Sequence, residues 1–167
     1  MKNSNNGIIT QEKFYKLCHD GYNGSNILRA VLWILTAGSL ICIFGSASQG
    51  NKDDVFKFIA FFINLLAVSI AFNFIVAIFD RLRKSPTPFT YDIADKFRGI
   101  SNILLMGFAV YIVYAIIILV FSTHKQVLTD YNLFITIGYI AADMITKCFE
   151  YIFSYGAALQ QQADETL

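Results

Sequence analysis

Charged residues are scarce in this chain. They make up 15% of the 167 residues, whereas hydrophobic residues make up 56%, and an average soluble domain is about 25% charged. A water-facing surface needs more charge than this. The formal net charge is only +1, and binding to nucleic acid requires a basic face that neutralises several phosphates. We therefore expect no nucleic-acid partner, and we expect the main solvent of this chain to be lipid.

Cysteine is also rare and scattered. Cys18, Cys42 and Cys148 form neither a CxxC pair nor any spacing typical of metal ligands, so we expect no zinc site and no disulfide framework. Patterns typical of active sites are missing as well, including a Gly-rich phosphate loop, HExxH and GxSxG. We expect no catalytic residue, no metal and no cofactor, and we expect that the protein is not an enzyme.

The apolar residues lie in long blocks. A hydrocarbon core of about 30 Å needs about 20 helical residues, and four blocks approach or exceed this length. They lie at about 27–47, 58–79, 101–122 and 131–157. The pattern predicts an all-α integral membrane protein, an antiparallel four-helix bundle over residues 27–160. Residues 1–26, with a possible interfacial helix at Gln11 to His19, and the tail 161–167 lie outside it.

The basic residues predict the orientation. Cytoplasmic loops of membrane proteins are enriched in Lys and Arg, and four spans put both termini and the middle loop on one side. That side holds nine basic residues, namely Lys2, Lys13, Lys16, Arg29, Arg81, Arg83, Lys84, Lys96 and Arg98. The other side holds Lys52, Lys57 and Lys125. We therefore expect a multi-pass protein of the plasma membrane with both termini in the cytoplasm, and His19 and His124 then lie on opposite sides and cannot share a site.

The middle loop contains both prolines, Pro86 and Pro88, in the run SPTPFT. Proline cannot donate a backbone hydrogen bond and forces the preceding residue toward extended geometry, so this run predicts a turn outside the membrane. Thr90 can cap a short amphipathic helix that follows it. Acidic Asp92 early in that helix and basic Arg98 late in it suit the helix dipole.

The fourth block differs from the others because it contains charges. Asp143, Lys147 and Glu150 are spaced i, i+4 and i+7 and share one helix face. Two interpretations stay open. The stripe can be an ion pair that lets the helix enter the membrane, or part of a polar cavity that binds a proton or ligand. Asn73 in the second block is a further candidate, and Tyr111 and Tyr114 need hydroxyl partners in the middle of the third.

Several short motifs lie in the second half of the chain. Pro88, Phe89 and Thr90 are followed by Arg98 and Gly99 before the third block. The last helix ends with a glycine, a Leu-Gln pair and an acidic stretch, namely Gly156, Leu159, Gln160, Asp164, Glu165, Thr166 and Leu167. These motifs resemble a family of small bacterial inner-membrane proteins with four spans, a domain of unknown function, although Tyr91 and Asp92 replace the acidic residue and asparagine common there.

The resemblance implies a role beside a helix-turn-helix regulator, in regulation or stress response. Our first hypothesis is a non-enzymatic regulatory, accessory or protective membrane protein that contacts a protein partner or a membrane-active molecule. Its expected contact residues are Pro88, Phe89, Thr90, Arg98, Gln160 and Asp164. The alternative is a small transporter or channel subunit, formed as a homo-oligomer, that uses Asp143, Lys147, Glu150 and Asn73.

Overall fold

A computed structural model describes residues 11–84, 88–121 and 129–166 of this chain, with side chains for residues 12–84, 88–120 and 134–166. Among the described residues all regular structure is helical. Lys2, Pro86, His124, Lys125 and Leu167, which entered the sequence predictions, lie outside these ranges. Four long helices follow one another, namely α1 (Gln11–Ser48), α2 (Lys52–Lys84), α3 (Tyr91–Phe121) and α4 (Thr129–Glu165).

The helices are longer than the apolar blocks that predicted them. The predicted interfacial helix at Gln11 to His19 is not separate, because α1 continues unbroken through 38 residues to Ser48. The short amphipathic helix expected after Thr90 is likewise the first part of α3, which runs for 31 residues. In α1 the added segment includes the poor helix formers Gly21, Asn23 and Gly24, so its helical form depends on packing against α2, as at the close approach of Gly21 to Phe79.

Consecutive helices pack antiparallel in a row. Within the described part of the chain, α2 packs between α1 and α3, and α4 packs on the other side of α3. No comparable contact joins α4 to α1 there, so these two helices form the edges of the row. The predicted all-α class and antiparallel order are confirmed, while a closed ring of four helices is not what these contacts form.

The most buried residues lie where α2, α3 and α4 meet. The core cluster combines Ala71 and Ile78 of α2, Ile93, Ile100 and Leu104 of α3, and Tyr139 of α4. Glycine and alanine allow the closest approaches. A Cβ on Gly107 of α3 would lie 2.6 Å from the Cβ of Ala67, and one on Gly99 would lie 2.6 Å from the ring of Phe74.

Polar contacts fix α1 against α2. The Thr36 hydroxyl donates to the carbonyl of Leu32 at 2.8 Å, so the Ser69 hydroxyl, 3.0 Å from it, is the donor between the two helices. Near the start of α1, the guanidinium of Arg83 lies 3.8 Å from the ring centroid of Tyr22, which is within range of a cation–π contact. The same guanidinium donates to Asp80 at 2.6 Å.

Three helices are long and apolar enough to cross a membrane. They are α1, α2 and α3, and within the described residues α4 is not among them. The predicted fourth span is therefore not established by length and composition. Large apolar side chains nevertheless cover the outer face of α4, including Phe134, Ile137, Met144 and Ile152, which are all more than half exposed. Such a surface is what a lipid-facing helix presents.

Candidate functional site

The row has two ends of different character. At one end α1 begins, α2 ends, α3 begins and α4 ends, and we call this the basic end. Seven basic residues lie in those helix ends, namely Lys13, Lys16, Arg81, Arg83, Lys84, Lys96 and Arg98. Two of them, Arg83 and Lys84, form ion pairs with Asp80 at 2.6 Å each.

An aromatic cluster joins the start of α3 to the end of α4 at the basic end. Phe97 stacks between Phe149 and Phe153, with ring centroids 5.3 and 5.4 Å apart. Phe153 also contacts Phe89 at 5.6 Å. Aromatic pairs at these separations contribute beyond their buried area, so this cluster holds the Pro-Phe-Thr segment onto α4.

Gly156 provides the space for Phe89. A Cβ at this position would overlap the Phe89 ring, which lies directly against the helix backbone. The two residues are 67 positions apart in sequence, and they belong to the two motifs on which the family resemblance rests. The structure thus brings the central loop and the end of α4 together.

An open groove of about 420 Å³ lies beside this contact. Its walls come from the start of α3 and the last turns of α4, and its lining residues are Phe89, Thr90, Tyr91, Ala157, Gln160, Gln161, Asp164 and Glu165. Four of the six predicted contact residues, Phe89, Thr90, Gln160 and Asp164, therefore share one groove. We call it the 89–165 groove.

Thr90 begins α3 through its backbone and not through its side chain. Its carbonyl accepts hydrogen bonds from the amides of Ile93 and Ala94, at 3.1 and 3.3 Å, so its backbone begins the helix. Its hydroxyl oxygen is buried and has no hydrogen-bond partner among the described residues. The expected side-chain cap is therefore not formed, and a polar group remains unused in the wall of the groove.

The groove is acidic. Asp164 and Glu165 are the charged residues of its lining, and the last turn of α4 contains no basic residue. Gln161 donates to Glu165 at 3.0 Å. The carboxyl end of a helix already has a partial negative charge and is stabilised by cations. The charge of this groove is thus compensated by no residue of its own lining.

The other two predicted contact residues lie elsewhere. Pro88 is half-buried ahead of the groove and does not line it. Arg98 reaches across to α4, where its Nε donates to Glu150 at 2.8 Å, and its second partner is Asp95 at 3.2 Å. Arg98 therefore ties α3 to α4, and 58% of its side chain stays exposed.

The charged stripe of α4 is divided between two sets of contacts. Asp143 is 8% exposed. It accepts from Ser101 of α3 at 2.5 Å and from Lys147 at 2.8 Å. Glu150, about two turns beyond Asp143, pairs instead with Arg98. Asp143 and Lys147 thus form the ion pair expected from their spacing, with a neutral donor added from the neighbouring helix.

Asn73 is not brought to this stripe. Asn73 follows Ser69 by four residues, so the two lie on the same side of α2. Ser69 bonds Thr36 of α1, and that side therefore faces α1. Asp143 instead contacts α3. No group of three or more His, Cys, Asp or Glu residues that could hold a metal occurs in the described part of the chain.

Sequence reasoning missed three residues that shape these sites. Ser101 was the first residue of an apolar block, Gly156 marked only a motif, and Tyr139 was not singled out. A pairing of Phe89 with a glycine cannot be read from either motif alone. The sequence does show Gly156 as an isolated glycine within a helix, and such a glycine often indicates close packing.

The fold defines the class of protein. A row of antiparallel helices, three of which are long and apolar enough to span a membrane, is a small multi-pass helical membrane protein. The chain matches no family model, no curated protein and no solved structure. Its function must therefore be argued from the sites themselves.

Proposed function

We propose that this chain is a non-enzymatic plasma-membrane protein of bacteria that acts by binding a protein partner in the 89–165 groove. Residues from two distant motifs line this groove together, and that juxtaposition is the observation that carries the proposal. With α4 as a fourth span, the groove lies at the cytoplasmic surface with both termini. The positive-inside distribution of the basic residues supports this orientation.

The chemistry of the groove favours a basic segment. Asp164 and Glu165 lie at a helix end that already attracts cations, and no basic side chain of the lining neutralises them. Phe89 and Tyr91 are 39% and 51% exposed, so their rings can contact a Lys or Arg side chain. The family resemblance, with its neighbouring regulator, is consistent with a regulatory role for such contact.

Site-specific photocrosslinking in native membranes tests the proposal. A photoreactive amino acid at Gln160, in the groove, should give a discrete adduct with another protein. The same amino acid at Tyr155 is the matched control, since Tyr155 is 69% exposed on α4 but does not line the groove. Replacing Asp164 and Glu165 by Asn and Gln should remove the Gln160 adduct. Equal adducts at both positions, or none at Gln160, would count against the proposal.

A further inference from the structure

The hydroxyl of Tyr139 is a buried polar group in the core between α3 and α4. Tyr139 is 8% exposed, and its hydroxyl has no hydrogen-bond partner among the described residues. It lies beside Gly107, where an added Cβ would be 3.3 Å from the hydroxyl oxygen. Leaving a buried hydroxyl unpaired is unfavourable, so a water molecule is the natural partner for it.

Other hydroxyls lie along the same seam between α3 and α4. Toward the basic end, Ser101 donates to Asp143, which precedes Lys147 by one turn. Toward the opposite end, Tyr111 follows Gly107 by four residues, on the same side of α3, and is 4% exposed. Polar side chains thus occur on both sides of the Tyr139 hydroxyl.

The series continues to the opposite end of the row. Tyr114 donates to the carbonyl of Phe56, in α2, at 2.6 Å, and Phe56 adjoins the exposed Lys57. From Ser101 to Tyr114 the axis of α3 rises about 20 Å at 1.5 Å per residue. That is about two-thirds of a hydrocarbon core of roughly 30 Å. At the basic end, Lys147 has 46% of its side chain exposed and connects Asp143 to the surface.

We propose that this series, formed by Asp143, Ser101, Tyr139, Tyr111 and Tyr114, is a water-assisted proton path along α3 that starts on the side facing α4 and ends on the side facing α2. A proton enters on the Asp143 carboxylate, and the Ser101 O–H, which donates to Asp143 at rest, turns away from it so that the Ser101 oxygen can accept that proton. Each hydroxyl or water then accepts one proton on one side and releases its own on the other, and a proton leaves at the Phe56 end. No group is oxidised or reduced, and every hydroxyl is neutral again after the transfer.

This path is independent of the 89–165 groove and goes beyond the proposed partner binding. It also uses fewer of the charged residues than a channel built on the whole stripe of α4 would use. Glu150 is engaged by Arg98, and Asn73 lies on the α1-facing side of α2, so neither belongs to the path. The central step is the one through Tyr139, because its hydroxyl has no partner among the described residues and no bond within the protein must break before it accepts a proton.

Proton flux into liposomes containing the full chain tests the proposal. A valinomycin-set potassium diffusion potential supplies the driving force, and a trapped pH-sensitive dye reports the flux. We expect flux above that of protein-free liposomes, and an at least tenfold loss in Tyr139→Phe and Asp143→Asn. Tyr155→Phe, at an exposed tyrosine of the same helix, should leave the flux unchanged. Wild-type flux equal to the protein-free background, or an unchanged flux in Tyr139→Phe, would overturn the path.

Thermal unfolding of the same variants separates this role from a structural one. Tyr139→Phe removes a hydroxyl that has no partner among the described residues, so its Tm should equal or exceed that of the wild type. A lost flux at an undiminished Tm supports the path. A clearly lower Tm would show that the hydroxyl is bonded within the protein, and the path through Tyr139 would then be wrong.

Discussion

Phe89 lies against α4 at Gly156, where a Cβ would overlap the Phe89 ring. This contact links the central loop to the last helix, and the 89–165 groove exists because of it. The aromatic cluster of Phe97, Phe149 and Phe153 supports the contact from within the row. The geometry of the groove therefore depends on one glycine.

Replacing Gly156 by Ala should destabilise the protein. The added methyl group must displace the Phe89 ring, and overpacking of this kind costs about 1–3 kcal/mol. Gly138 is the matched control in the same helix, since a Cβ there meets nothing within 4 Å. Gly138→Ala should leave stability unchanged or raise it, because Ala is favoured over Gly in helices by up to about 1 kcal/mol. Thermal unfolding in detergent micelles measures both, and an equal Tm for the two variants would contradict the packing.

Replacing Ser101 by Ala should also destabilise the protein. The change removes a donor to the buried Asp143 carboxylate, and hydrogen bonds to charged groups contribute about 1.5–3 kcal/mol. Thr146→Val is the control, because the Thr146 hydroxyl donates to the Ala142 carbonyl of its own helix and has no bond to another helix among the described residues. The control should cost clearly less in the same unfolding experiment. If Thr146→Val costs as much as Ser101→Ala, the bond between α3 and α4 has no special role.

The contact between Thr36 and Ser69 predicts coupling between α1 and α2. A double-mutant cycle with Thr36→Val and Ser69→Ala isolates their interaction from the rest of each side chain. Hydrogen bonds between membrane helices average about 0.6 kcal/mol and reach about 1.7 kcal/mol, and we expect a stabilising coupling in this range. Additive effects of the two substitutions on the free energy of unfolding would argue against the bond.

The sequence predicted helices well because a single property, long apolar blocks, determines them. The boundaries were less predictable. The glycines and asparagines before Ile27 disfavour a helix, yet the structure continues α1 through them, and it continues α3 through the polar residues after Thr90. Apolar blocks also cannot specify which helices touch, so the row with α1 and α4 at its edges could not be foreseen.

The sites were predicted in unequal measure. The i, i+4 spacing of Asp143 and Lys147 allowed an ion pair as one of two interpretations, and the structure forms that pair. Ser101 could not be predicted as its third member, because that requires the relative height of α3 and α4. The same holds for the pairing of Arg98 with Glu150 of α4, which also depends on the relative height of the two helices. Contacts within one helix follow from spacing, whereas contacts between helices require the register.

In our proposal α4 crosses the membrane as a fourth span, so that the start of α3 and the end of α4 lie on the same side of it. Side-specific labelling tests it most directly. Single cysteines at Asn51, Tyr91 and Gln160 are introduced into a variant in which Cys18, Cys42 and Cys148 are replaced by Ser. A membrane-impermeant maleimide should label Asn51→Cys in intact cells, and Tyr91→Cys and Gln160→Cys only after permeabilisation. Labelling of Gln160→Cys from the same side as Asn51→Cys would contradict the fourth crossing.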